Sequence, residues 1–228
     1  GSYRADGLPT AILEYAGLHD LDLARFASAE AQVAAISDDI AYNAHDIDDG
    51  LRAGLFSIID IGDIPLAGEA LTEVLKTYPD IEPRRLVHET VRRVISAMVT
   101  DVLEETRKRV ARHRPKSADD VRNLKGPIVG LGAQMAEKNR VLQSFLSIRM
   151  YKHSQVAATM TKARRVIRDL FETYLSDPAQ LPQNWREEAI SDDRSRYARQ
   201  VCDFIAGMTD RYALDQHKRL FDLDPVFR

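Results

Sequence analysis

The sequence lacks the features of disulfide-stabilised and membrane-spanning proteins. Its single cysteine, Cys202, excludes a disulfide within the chain and is typical of a reducing compartment, so we expect a cytoplasmic location. Because no histidine lies near Cys202 in the sequence, we expect this thiol to be buried and without a nucleophilic role. No apolar run approaches the ~18 residues that cross a bilayer, and the start is not signal-like, so no membrane partner is expected.

A large excess of charge of one sign is also lacking. The net charge of −3 gives no support for nucleic-acid binding by the chain as a whole, although local basic segments exist. Apolar residues make up 44% and charged residues 29% of the 228 residues, which is ordinary for a globular protein with one large or two small domains. We interpret Gly1-Ser2 as the remainder of a cleaved expression tag, outside the fold.

The alternation of apolar and polar residues that marks β-strands is absent, whereas helical periodicity recurs along the chain. These patterns predict an all-α protein, a bundle of several helices that needs no sheet. Turn-forming stretches separate the helices, and Ser28 is a candidate N-cap for the first long one. The predicted helices are 28–59, 66–77, 82–113, 117–125, 133–150, 154–175, 182–189 and 192–222.

The predicted helix 28–59 carries a stripe of polar residues opposite its apolar face. At about 100° per residue, the stripe consists of Asp38, Tyr42, His45 and Asp49, with Asp46 at its margin. One interpretation is a solvated surface, the usual fate of charges opposite an apolar stripe. The other is that the acids face a cation, because no Lys or Arg lies between residues 30 and 52 and like charges at helical spacing repel. The pattern alone leaves both interpretations open.

Three separated segments resemble one family. "EAQVAAISDDIAYNAHDIDDGLRAGL" (30–55), "FLSIRMYKHSQV" (145–156) and "ARQVCDFIAGMTDRYALDQHKRLF" (198–221) are similar to segments of bacterial deoxynucleoside triphosphate triphosphohydrolases. These enzymes form the dGTPase-like branch of the HD-domain superfamily. With "KARRVIRDLF" (162–171) between the last two segments, the resemblance covers nearly the whole chain in the right order.

The resemblance implies a metal-dependent hydrolase that cleaves a dNTP to the deoxynucleoside and inorganic triphosphate, with Mg²⁺ or Mn²⁺ as cofactor. It implies that Asp38 is a metal ligand, that Tyr42 lies against the sugar ring, and that Asp46 lies near the sugar or the phosphates. It also implies that Tyr151 lies beneath the sugar. A hard divalent ion prefers carboxylate oxygen, and phosphates need cations, which suits these residue types.

Further binding residues are predicted less directly. Lys152, with Arg149 and His153 beside it, could contact phosphates or could stabilise a helix C-terminus. His45 shares the stripe of Asp38 and is a candidate to line the substrate pocket.

The sequence departs from the family at its metal site. Such a site needs a histidine and then a His-Asp pair upstream of the final aspartate, but only 37 residues precede Asp38, and His19 is their one histidine. We interpret His19 as an ordinary surface or loop residue. We therefore expect a C-terminal portion of such an enzyme, with 3–60 as the final metal-ligand helix of the HD-type core and 61–228 as a C-terminal helical domain. Alone, this portion is expected to lack the metal and to be inactive, and we assign no catalytic residue to it.

The alternative is a non-catalytic helical module for oligomerisation or nucleotide sensing. The basic segment 105–116 could be a solvated helix end, or a contact for a regulatory nucleotide or single-stranded DNA. A homo-oligomer is expected in either case. If partner helices are missing, the chain should self-associate or expose an apolar patch beside the Asp38 stripe.

Overall fold

The computed structural model describes residues 8–187 and 194–221, and in these ranges it contains helices and no strand. This confirms the predicted all-α class. The α-helices of the described ranges are α1 (Thr10–Leu18), α2 (Ala29–Arg52), α3 (Ala67–Thr77), α4 (Pro83–His113), α5 (Ala118–Arg122), α6 (Ala133–Leu146), α7 (Ser154–Ser176), α8 (Gln183–Glu187), α9 (Arg194–Ala206) and α10 (Asp210–Phe221). None of them combines the length and the apolar character that a membrane span requires.

The chain divides into two compact units, which meet in sequence between Lys152 and His153. The predicted division into segments 1–2, 3–60 and 61–228 is based on the expected metal-ligand helix and not on compactness. It stays a prediction.

Helix α2 begins where its sequence predicts and ends earlier. Ser28 is its N-cap, and the side chain accepts a hydrogen bond from the backbone N–H of Ala31. The helix stops at Arg52 instead of residue 59, because Gly54 adopts a left-handed conformation (φ 67°) that turns the chain. A segment of turns then leads to α3.

The core of the first unit lies between α2, α3, α4 and α6. Its fully buried side chains come from each of these helices and from the turns before α3, and include Ile47, Ile61, Val74, Met98 and Leu142. Gly68 lets the first turn of α3 approach the preceding loop: a Cβ there would lie 1.9 Å from the carbonyl oxygen of Gly62. The backbone N–H of Gly68 donates to the carbonyl of Ile64 over 2.7 Å, which closes this turn.

The second unit is built on the packing of α7 against α9 and α10. Tyr174 is fully buried there, and the Tyr197 hydroxyl donates a 2.5 Å hydrogen bond to its backbone carbonyl. The prediction of one helix over 192–222 is wrong within the described residues, because the chain breaks at 207–209 and α10 restarts after Thr209. Cys202 is exposed, so the expectation of a buried thiol is also wrong.

Candidate functional site

A widened helical turn brings Tyr151 toward α2. Residues Ser147–Tyr151 continue α6 as one π-helical turn, in which the backbone N–H of Lys152 donates to the carbonyl of Ser147 over 3.1 Å. Single π-turns inside or at the end of an α-helix are rare and frequently occur at functional sites, since they re-aim a side chain. The sequence predicts only a regular helix to residue 150 here.

Two tyrosines and an aspartate form a hydrogen-bonded cluster between this turn and α2. The Tyr151 hydroxyl lies 2.5 Å from Oδ2 of Asp46 and 2.6 Å from the Tyr42 hydroxyl. A phenol hydroxyl can donate only one hydrogen bond. Tyr151 therefore donates to the Asp46 carboxylate and accepts a hydrogen bond from the Tyr42 hydroxyl. The cluster joins positions more than 100 residues apart in sequence. It brings together Tyr42 and Tyr151, to which the resemblance assigns contacts with the sugar, and Asp46, which the resemblance assigns to the sugar or the phosphates.

The carboxylate of the cluster is buried, whereas the two tyrosine rings remain accessible. Asp46 is 8% exposed, whereas Tyr42 is 58% and Tyr151 is 43% exposed. The polar tips therefore hold one another in place, and the aromatic surfaces stay open to a ligand. Such a surface suits stacking against a sugar or a base.

The surroundings of Tyr151 stabilise its protonated form. Desolvation, and then the hydrogen bonds with Asp46 and Tyr42, raise the pKa of Tyr151 well above its ordinary value of 10.0. Because the pKa is higher in the folded than in the unfolded chain, the resulting stabilisation is complete below about pH 10 and is lost as the pH rises above it.

Tyrosinate absorbance tests this shift. Between about pH 9 and 11, Tyr151 of the folded chain should stay protonated, so Tyr151→Phe should leave the absorbance change at 295 nm unchanged. In the urea-unfolded chain, the same substitution should remove one of eight titrating tyrosines. If Tyr151→Phe lowers the folded amplitude by a full tyrosine in this window, the hydrogen-bonded cluster is not formed in solution.

A second polar contact fixes the register of α2 against α6. The buried side chain of Asn43 donates from Nδ2 to Oδ1 of Asn139 over 2.9 Å. Asn43 follows Tyr42 directly, so this bond sets the rotation of the helix that carries both Tyr42 and Asp46. Sequence reasoning did not single out either asparagine. The available signal was a polar residue at a position of α2 that faces the neighbouring helices, because a polar group there needs a hydrogen-bond partner.

The other predicted residues lie outside this cluster. Asp38 is exposed on α2, and Lys152 is exposed where the π-turn ends. Arg149 pairs with Asp60 over 2.9 Å, which engages it with a carboxylate. Hydrogen bonds from Ser57, and then the charge of Arg149, lower the pKa of Asp60 below its usual value. The predicted phosphate contacts of Lys152 stay predictions.

His45 lies on a different side of α2 from the tyrosine cluster. It lines a groove of about 440 Å³ between α2 and α4, together with Asp48 and His88. At this end of the groove, Arg52 donates to Oδ2 of Asp48 over 2.6 Å and lies 3.4 Å from Nε2 of His88. The predicted role of His45 in a substrate pocket is not supported by any contact with Tyr42 or Asp46 and stays a prediction.

In the basic segment 105–116, one side chain has a structural role. Arg109 pairs with Glu105 over 3.0 Å and donates to the backbone carbonyls of Pro127 and Leu131. This arginine therefore ties α4 to the loop before α6. The predicted contact with a nucleotide or single-stranded DNA stays a prediction for the exposed members of the segment.

The residues that the structure describes do not by themselves form a metal centre. Within the described ranges, no group of three or more His, Cys, Asp or Glu side chains is placed to hold a metal ion. Asp38 can supply one carboxylate, and further ligands for an ion at that position would have to come from elsewhere.

Comparison with known families gives a match within the second half of the chain. Residues 129–219 match the family described as "Phosphohydrolase-associated domain". The match begins in the loop before α6 and includes the π-turn that carries Tyr151, together with most of the second unit. Residues 129–219 are thus similar to a domain described as associated with phosphohydrolases.

Whole-chain relatives narrow this class. The chain is 52% identical over 219 residues to a "Deoxyguanosinetriphosphate triphosphohydrolase-like protein" of Parvibaculum lavamentivorans, which covers 96% of this chain and 55% of the relative. Proteins of the same name from Bradyrhizobium diazoefficiens and Brucella ovis are each 46% identical, over 100% and 96% of this chain and 57% and 54% of the relatives. The resemblance predicted from the sequence is confirmed. The chain spans about half the length of these curated relatives.

Proposed function

We propose that this chain is part of a metal-dependent phosphohydrolase that cleaves a dGTP-type dNTP to the deoxynucleoside and inorganic triphosphate. The cluster of Tyr42, Asp46 and Tyr151 is the observation that carries the proposal. The resemblance assigns Tyr42 and Tyr151 to the sugar and Asp46 to the sugar or the phosphates, and the three residues meet across more than 100 residues of sequence. The names of the relatives support the same class of substrate.

The cluster can recognise a deoxyribose by shape and by hydrogen bonding. The exposed ring faces of Tyr42 and Tyr151 offer a flat apolar wall for the sugar. Asp46 holds the Tyr151 hydroxyl at 2.5 Å, so the phenol is fixed before the ligand arrives. Binding to groups that are already ordered loses less entropy, which strengthens the interaction. We assign Lys152, which is exposed at the adjacent helix end, to the phosphates.

The metal is proposed for a longer polypeptide and not for these 228 residues alone. In that polypeptide Asp38 supplies one oxygen ligand, and the remaining ligands come from residues that have no counterpart here. A bound divalent ion would offset phosphate charge. Since the described residues do not form a metal group, we propose that the 228-residue chain neither binds Mn²⁺ tightly nor hydrolyses dNTPs.

Release of inorganic triphosphate is the direct test. The full-length gene product, supplied with Mg²⁺ or Mn²⁺, should release triphosphate from dGTP, and parallel assays with dATP, dCTP and dTTP would define the base preference. The 228-residue chain under the same conditions should release none. Rapid triphosphate release by the short chain would overturn the proposed inactivity, and no release from any dNTP by the full-length product would overturn the proposed reaction.

A further inference from the structure

Among the described residues of the first unit, nothing covers a groove between α2 and α4. Its lining spans about three helical turns on each helix, from Ser37 to Asp48 and from His88 to Val99. The residues repeat at helical spacing on both sides, so the groove follows the seam between two neighbouring helices. A third helix lying along such a seam is the common way to cover it.

The walls of the groove are mainly apolar. They include the aliphatic side chains of Ile40, Val91, Ile95 and Val99, of which Ile95 and Val99 are exposed. The exposed stripe continues by one turn on each helix to two further side chains, Val33 on α2 and Leu103 on α4. A contiguous exposed apolar stripe of this kind marks an interaction surface. This matches the apolar patch expected beside Asp38.

The polar end of the groove contains an unsatisfied acceptor. Oδ2 of Asp48 accepts from Arg52, but its Oδ1 is buried and has no hydrogen-bond partner among the described residues. A buried carboxylate oxygen without a donor destabilises the fold. An N–H or a cationic group on whatever covers the groove would satisfy this oxygen once the Asp48 side chain turns toward it.

The charge of α2 points to the same kind of occupant. At about 100° per residue, the exposed acids Asp38 and Asp49 lie on the side of α2 next to the lining residue His45, and Arg52 is the one Lys or Arg residue of this helix. A basic, amphipathic helix would complement both the apolar floor and this acidic border. The relatives contain nearly as much chain again as they share with these residues, which is ample length for such a helix.

We propose that the α2–α4 groove is the docking surface for a helix from the part of a longer polypeptide that has no counterpart in these 228 residues. That helix presents apolar side chains at positions i, i+3, i+4 and i+7 to the groove. It places a Lys, an Arg or another N–H donor against Oδ1 of Asp48. The proposal does not rest on the hydrolase activity, because it concerns only how the first unit is covered.

Thiol labelling can measure whether the groove is covered. In a Cys202→Ser background, Ala41→Cys places a reporter in the groove, and Ala158→Cys on α7 is a matched control on another exposed helix face. In the 228-residue chain, both thiols should react with N-ethylmaleimide at similar rates. In the full-length gene product, the groove thiol should react at least about thirtyfold more slowly, because labelling then requires local opening, while the control thiol is unchanged.

A second pair of variants tests the proposed donor. In the full-length Ala41→Cys protein, Asp48→Asn should speed labelling of the groove thiol about tenfold, because a charge-assisted hydrogen bond is lost. Asp39→Asn, an acid on the opposite side of α2 from the groove lining, should have no effect. Equal reactivity of the groove thiol in the short and full-length proteins would overturn the proposal. Protection that appears in the short chain and grows with its concentration would assign the groove to a second copy instead.

Discussion

Replacing Gly68 with alanine should destabilise the first unit by about 3 kcal/mol. The added Cβ would lie 1.9 Å from the carbonyl oxygen and 2.7 Å from the carbonyl carbon of Gly62, and both are backbone atoms that no side-chain rotation can move. Relief therefore requires the loop and the first turn of α3 to separate. That movement would disturb the packing of the buried Ile61 and Ala67 beside them. Urea unfolding followed by far-UV circular dichroism measures the loss.

Gly17→Ala is the matched control for this substitution. Gly17 is also a helical glycine, in α1, but a Cβ there would meet nothing within 4 Å. Alanine has the higher helix propensity, so this variant should be neutral or slightly more stable, by up to about 1 kcal/mol. If Gly68→Ala unfolds at the same urea concentration as the unsubstituted chain, the close approach of α3 to the loop is not present in solution.

Much of the fold could be predicted from periodicity and punctuation. The helices α3, α4 and α7 lie within one residue of the predicted boundaries, because each has turn signals at both ends and an apolar stripe between them. Helix α1 was not predicted, and none of its residues is buried, so it has no core-facing pattern to detect. The end of α2 was placed too late because the apolar residues after Gly54 continue the pattern without being helical.

The breaks that sequence reasoning missed depend on single residues. The predicted helix 192–222 runs through Gly207, but the chain leaves the helix there and Thr209 then caps α10 by accepting from the N–H of Tyr212. The same local pattern, a glycine followed by a hydroxyl residue, is compatible with either outcome. Tertiary packing decides between them.

The candidate site could be predicted only in part. The i, i+4 spacing of Tyr42 and Asp46 follows from a helix, so the sequence places them near each other. Their contact with Tyr151 depends on the π-turn at 147–151, which no periodicity of the sequence indicates. Only the family resemblance predicted that Tyr151 belongs to the same site. His45 shares the predicted stripe, yet it faces the α2–α4 groove, because α4 packs against that side of the helix.

Substitution of Asp38 with alanine is expected to have the largest effect on activity. Because Asp38 is the proposed metal ligand, Asp38→Ala in the full-length gene product should lower the rate of the proposed triphosphate release by about a thousandfold, a loss of several kcal/mol of stabilisation. The affinity for Mn²⁺, measured by calorimetry, should fall with it. Asp38 is exposed, so the free energy of unfolding should change by less than about 0.5 kcal/mol, and the loss of rate cannot be attributed to unfolding.

Asp39→Ala separates a ligand from a general effect of acidic charge. Asp39 is the adjacent residue on α2, equally acidic and also exposed, but it points about 100° away around the helix. Its substitution removes the same charge within a few ångströms, yet it should leave the rate within about twofold, because a metal ligand acts through direct contact and a solvated charge is screened. Equal losses in both variants would mean that the acidic face acts only through its overall field. A full rate and an undiminished Mn²⁺ affinity in Asp38→Ala would remove the carboxylate from the metal site altogether, and with it the main reason for assigning this helix to a phosphohydrolase centre.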